Sequence, residues 1–234
     1  MKIIPDFGLE TLNDLVSRTS FPWLMSNVVD RETGRQLADG LRSHVIEWEG
    51  RRLGILGLVE REWLDTLATI NTDQVDFQDY IDAGNELVAK LRGDGCEVVI
   101  ALTHMRTPND IRLAENVEGI DLILGGHDHV YEKHKVNGKF ILKSGTDFRQ
   151  FSKITLDFRQ DPLHVDIEAV NVTREYEADT ELEAVLSQYS GVVDAKMSEE
   201  LGELSVTLDG RFSSVRTQET NLGNLVTDIM VAAL

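Results

Sequence analysis

One stretch constrains this chain more than any other: Leu122-Ile123-Leu124-Gly125-Gly126-His127-Asp128-His129, an apolar run that breaks at two glycines and closes on two histidines. Aliphatic residues ended by glycine read as a buried strand, and ligands in open α/β sheets collect where such strands end. Extended backbone beyond Gly126 would put His127 and His129 on one side and Asp128 on the other, because alternate residues of a strand share a face. Imidazole suits zinc and several neighbouring transition metals. The two glycines let the backbone bend and come close to an ion or its bound substrate.

The same arrangement occurs once more upstream. Phe77, Tyr80, Ile81, Gly84, Leu87, Val88 and Leu91 recur at helical spacing, and Gly93 and Gly95 end the helix. A buried strand, Glu97 to Leu102, then delivers His104 at its carboxyl end. Thr107-Pro108 opens a short helix with Thr as its cap and Pro at its first position. Gly119 closes that helix before the second strand begins. The order helix, strand, His, helix, strand, His-x-His is a parallel α/β rhythm that brings both histidine loops to one edge of a sheet.

The flanks are less regular. Leu9–Ser17 reads as a helix with Leu12, Leu15 and Val16 on its apolar face, and Phe21 to Val29 as a strand. His44 to Trp48 and Leu53 to Val59 form a hairpin about Glu49-Gly50. Val130 to Val136, Lys139 to Lys143, Phe151 to Phe158 and His164 to Val172 read as antiparallel strands, the first pair turning at Asn137-Gly138. Ser144-Gly145-Thr146-Asp147 lines the site or simply turns the chain. His44, His134 and His164 lie in alternating strands without a second ligand type beside them and read as structural or solvated. A helix begins near Thr180, and beyond Leu201 a linker with Gly202 and Gly210 leads to an apolar helix after Thr220.

Charge narrows the functions. The 234 residues carry 23 basic and 41 acidic side chains, a formal charge of −18, which opposes binding to nucleic acid or an anionic membrane. A small anionic substrate would need local positive charge, which metal ions supply. The single Cys96 excludes an internal disulfide and reads as a core thiol. No apolar run approaches the roughly 20 residues of a bilayer span. The start carries no secretory signal, which favours a cytoplasmic setting.

His104 in Leu-Thr-His-Met and the box Gly125-Gly126-His127-Asp128-His129 resemble the later metal-binding motifs of the calcineurin-like metallophosphoesterases. The 5'-nucleotidase branch is the most similar: it shares a strand like Ser26-Asn27-Val28 and the run Glu219-Thr220-Asn221-Leu222-Gly223-Asn224. The resemblance implies a layered α/β sandwich with mixed sheets. It implies two divalent ions (Zn, Mn, Mg or Co), with His104 and His127 serving one ion and His129 the other. The activity implied is hydrolysis of phosphomonoesters, above all nucleoside 5'-phosphates, by a water activated between the two ions. The substrate is then a small phosphorylated molecule, with no nucleic-acid partner.

The family's earlier boxes, Asp-x-His, a bridging Asp and Gly-Asn-His-Asp/Glu, do not occur here. Asp6-Phe7-Gly8 resembles the tail of the third, which makes Asp6 the partner that orients a catalytic histidine. On this reading the chain is the middle of a longer enzyme, incomplete at its amino-terminal edge. Residues 1–202 form a partial metallophosphoesterase domain, and residues 203–234 form a linker and the start of a carboxyl-terminal domain. An uncovered sheet edge would favour self-association. Two other readings stand beside this one: a non-catalytic fragment that binds a metal or a partner, and a mononuclear zinc hydrolase built on the three histidines.

Overall fold

The computed structural model describes residues 8–65, 72–160, 162–200 and 202–233. The chain divides into two compact units, one running to Tyr176 and the other starting at Glu177. In chain order the first contains α1 (Leu9–Ser17), β1 (Val28–Asp30), β2 (Ser43–Trp48), β3 (Arg51–Val59), α2 (Glu62–Asp65), β4 (Val75–Phe77) and α3 (Tyr80–Gly93). It continues with β5 (Val98–His104), α4 (Thr107–Asn116), β6 (Leu122–Gly125), β7 (Tyr131–Val136), β8 (Lys139–Ser144), β9 (Gln150–Asp157) and β10 (His164–Asn171). The second unit contains α5 (Thr180–Met197), α6 (Phe212–Val215) and α7 (Asn221–Ala233).

A six-stranded mixed sheet in the order β2-β3-β5-β6-β8-β7 organises the first unit. Its four inner strands are parallel and its two edges antiparallel. Strands buried on both faces read as continuous apolar runs, and here alternate residues feed two different cores. Val99, Ala101, Ile123 and Ile141 pack with Leu87, Leu91 and Leu113 of α3 and α4. Leu122 and Leu142 pack instead with Val165 and Ile167 of the β9–β10 ribbon. A third cluster, Leu12, Met25, Val28, Leu37, Val59, Trp63 and Val75, joins α1 to the β1–β4 pair. The layers are therefore helices, mixed sheet and antiparallel ribbon, the sandwich the resemblance implies.

The helices follow the sequence periodicity closely. α1 has the expected bounds, and α3 is capped by Asp79, whose carboxylate accepts from the Ile81 N–H at 2.8 Å. The turn at Asn137-Gly138 has positive φ at both residues, as a two-residue hairpin requires. The expectation of a strand from Phe21 to Val29 needs correction, because only Val28 and Val29 of that stretch join a ladder, in β1. Before it, Met25 N bonds Leu41 O while Ser26 N bonds Gly57 O, so the chain alternates between two partners instead of tracking one. β8 also differs from expectation, since it pairs antiparallel with β7 but parallel with β6.

Gly57 permits that crossing. A Cβ there would stand 2.8 Å from Leu24 Cβ and 3.2 Å from the Leu24 carbonyl oxygen. Gly57→Ala is expected to cost about 1–3 kcal/mol by overpacking against backbone that has no rotamer to yield. Urea unfolding of the two proteins side by side checks this; an unchanged midpoint would contradict it.

In the second unit α5 starts at Thr180, with the Asp179 carboxylate accepting from the Glu181 and Leu182 N–H groups. Leu182, Val185, Leu186, Tyr189, Val192 and Val193 of that helix are all exposed. Thr220 caps α7 by accepting from Gly223 N at 3.1 Å, and Asn221 ties Asp209 N and Thr207 O to the helix start. Among the described residues no helix is long and apolar enough to cross a membrane.

Candidate functional site

The register sets the carboxyl ends of the inner strands level. Val59 of β3 pairs with His104 of β5, Thr103 of β5 with Gly125 of β6, and Gly125 with Lys143 of β8. One rim therefore receives Glu60, His104, the Gly126-to-His129 loop and Lys143, as the parallel rhythm predicts for the two histidine loops. Gly126 N donates to Thr103 O at 2.9 Å, which carries the β5–β6 ladder one step past the strand and draws the loops together.

The His104 and His127 rings meet edge to face, with centroids 5.1 Å apart and planes at 83°. Gly126 makes this approach feasible, because a Cβ there would lie 3.3 Å from His104 Nδ1. His104 is half-buried, whereas His127 and His129 are exposed. Among the described residues no three His, Cys, Asp or Glu side chains form a group able to hold a metal ion. The two rings from separate loops are thus brought together, and His129 does not complete a triad with them. Asp6 lies outside the described residues.

The loop is not extended beyond Gly126. β6 ends at Gly125 and His127 takes φ +78°, a left-handed conformation that a non-glycine residue holds only where its surroundings impose it. Asp128 turns onto the buried Lys143 ammonium at 2.5 Å and accepts from Thr107 N at 2.9 Å. This also corrects the expected helix cap. α4 runs from Thr107, and its first N–H is met by the Asp128 carboxylate from a distant loop, where the helix dipole favours negative charge. Burial alone would push Asp128 upward, but hydrogen bonds from Lys143 and Thr107 outweigh it and hold the carboxyl below the ordinary aspartate range.

Four further residues of the site escape a reading by motif. Lys143 and Asp110 are fully buried, and Thr103 Oγ1 donates to Asp110 Oδ1 at 2.6 Å. Glu60, also buried, accepts from Arg106 N at 3.2 Å and from the Asn109 amide. Glu62 pairs with the Arg106 guanidinium, whose hydrogen bond holds its carboxyl below the usual range, with a smaller pull from His127. None of these belongs to a histidine box.

Burial pushes the Asp110 carboxyl up to about 6, against the opposing pull of Thr103 and Lys143. A carboxyl that holds its proton more tightly when folded favours the fold in its protonated form. Between about pH 4 and 6 the native state binds more protons than the unfolded state, so this contribution is largest near pH 4 and is lost as pH rises through 6. The expected loss is of order 3 kcal/mol. Comparing the pH dependence of urea unfolding in the native protein and Asp110→Asn should reveal it; parallel profiles would contradict it.

No family model matches the chain. It is 29% identical over 243 residues to the trifunctional nucleotide phosphoesterase protein YfkN of Bacillus subtilis (strain 168), covering 97% of this chain and 16% of that protein. It is 28% identical over 251 residues to the 5'-nucleotidase of Mus musculus, covering 97% of this chain and 43% of that one. The crystal structure of a 5'-nucleotidase precursor from Thermus thermophilus superposes with a TM-score of 0.75 and 26% identity, over 95% of this chain and 48% of that one. The chain thus spans less than half the length of these relatives. In sequence and in fold the chain is similar to 5'-nucleotidases, and in fold to a calcineurin-like phosphoesterase of Bacillus subtilis.

Proposed function

We propose that this chain supplies the histidine side of a divalent-metal centre for phosphomonoester hydrolysis, with nucleoside 5'-phosphates or related esters as substrates. The observation that carries the reading is the contact between the His104 and His127 rings, 5.1 Å between centroids on one sheet rim, in a chain similar to 5'-nucleotidases. Neutral imidazoles are donors suited to zinc and related metals. Gly126 puts no side chain of its own beside His104 Nδ1, so the residues present fit part of one ion's donor set. His104 and His127 would hold that ion, and His129 and Asp6 are assigned by resemblance to a second ion and to orientation of a catalytic histidine. A bound divalent ion supplies a lowered water pKa and charge for the phosphate oxygens. This chain's own residues fix the two rings, and the net charge of −18 makes that local positive charge a condition for an anionic substrate to enter.

A second reading has its own support: among the described residues no three-ligand group forms. On that reading the chain binds an ion through the histidine pair without turnover. One experiment separates them. The chain is titrated with Zn²⁺, Mn²⁺ and Co²⁺, and phosphate release from a nucleoside 5'-monophosphate and an aryl phosphate is followed with and without chelator. Metal-stimulated release that the chelator removes supports hydrolysis. Binding without release supports the second reading, and the absence of both overturns the metal assignment.

A further inference from the structure

We propose that Lys143 is the positioning residue of the histidine pair: its buried ammonium holds both histidine loops in the register that brings their rings together. This rests on the metal-centre reading above for its purpose, but not for its geometry. Lys143 is 1% exposed on β8 and reaches four groups. Its Nζ donates to Met105 O at 2.7 Å, to Gly126 O at 3.0 Å and to Asp128 Oδ2 at 2.5 Å. Asp110 Oδ2 lies 3.0 Å away as an ion pair and makes no aligned hydrogen bond among the described residues.

The count of protons explains the pattern. An ammonium has three N–H donors, and the two loop carbonyls and Asp128 use all three, so Asp110 contributes charge alone. The two carbonyls belong to the residue after His104 and the residue before His127. One point charge therefore joins the backbone beside each ring. His127 is bracketed more closely still, since Gly126 O precedes it and Asp128 Oδ2 follows it, and both are bound to the same Nζ. That double tether accounts for a non-glycine residue held at φ +78°.

The strand layout leaves room for this side chain. A Cβ on Gly125 would stand 3.0 Å from Lys143 Cε and 2.9 Å from Asp110 Oδ2, so a side chain there would displace the lysine stem or its counter-ion. Burying a charge is costly, and an apolar residue of similar size would fill the same space with less penalty. The ammonium does what an apolar residue cannot: it binds two carbonyls and a carboxylate from two loops at once.

The test compares the native chain with Lys143→Met and Asp128→Asn. It uses two readouts: affinity for Co²⁺ from its ligand-field absorption, and the nuclear Overhauser contact between the His104 and His127 ring protons without metal. Gly57→Ala serves as a destabilised control whose added Cβ meets Leu24 and neither ring. The expected result is loss of the ring contact in both variants but not in the control, with Co²⁺ affinity falling about 10- to 100-fold, the range for groups that orient metal ligands. If Lys143→Met does not fold, Asp128→Asn, altered at a partly exposed position, carries the comparison. If the native chain binds Co²⁺ and the folded variants keep both affinity and ring contact, the proposal is overturned. If the native chain binds no Co²⁺, the metal-centre reading fails, and the ring contact alone decides the positioning role.

Discussion

Alanine at His104 or at His127 is expected to weaken Zn²⁺ or Co²⁺ binding by at least about 100-fold, roughly 2.8 kcal/mol of binding free energy. Groups that merely orient a metal ligand cost 10- to 100-fold when removed, so loss of a ligand itself should reach the top of that range or exceed it. Stability should change little by comparison, because His127 is exposed and His104 only half-buried. At position 127 glycine is the informative second substitution. It removes the imidazole while relieving the left-handed backbone at φ +78°, so binding should fall as far as in the alanine variant while stability rises. His129→Ala should cost less than either, since its ring is not paired with His104. Calorimetric titration of the four variants gives the order directly. Equal affinities in His104→Ala and the native chain would remove His104 from the centre.

Asn27→Ala should have the largest effect on folding, about 3–5 kcal/mol. The side chain is 1% exposed. Its amide donates to Val59 O at 2.9 Å and to Gln78 O at 3.0 Å, and its oxygen accepts from Val59 N at 3.1 Å. It thus acts as one rung of a strand, joining the carboxyl end of β3 to the entrance of α3. Alanine would leave up to three backbone groups unpaired out of water, each worth about 1–3 kcal/mol. A domain of this kind has roughly 5–15 kcal/mol to lose. Urea unfolding should show a lower midpoint with an unchanged slope; a loss below about 1 kcal/mol would mean that water or a relaxed backbone replaces the amide.

These two sites differ in how far the sequence reveals them. The histidine loops were legible because two independent periodicities agree: helices α3 and α4 repeat at three and four residues, and the runs 98–102 and 122–124 are too apolar for anything but strands covered on both faces. Parallel order followed from those alternations, and with it the shared edge. Asn27 was visible only as part of a supposed strand from Phe21 to Val29. A side chain that replaces a ladder rung leaves no mark in hydrophobic pattern, because its partners lie 32 and 51 residues away.

Lys143 shows the same gap from the other side. In the sequence it only closes the strand Lys139 to Lys143 of an expected antiparallel hairpin. Its burial follows from β8 pairing with β6 as well as β7, a non-local choice that no local window contains. Asp128 was expected to project away from an extended histidine loop; the lysine and the α4 N-terminus attract its carboxylate instead, and the backbone bends at His127 to let it reach them. Thr107 loses its expected cap role to the same carboxylate.

The central claim is that a divalent cation is held by the paired rings of two separate loops. Substoichiometric Mn²⁺ added to the native chain, with the histidine side chains observed by nuclear magnetic resonance, tests it most directly. Paramagnetic broadening should remove the His104 and His127 ring signals first and leave His44 and His164 sharp. Broadening confined to other residues, or uniform across all the histidines, would contradict the account.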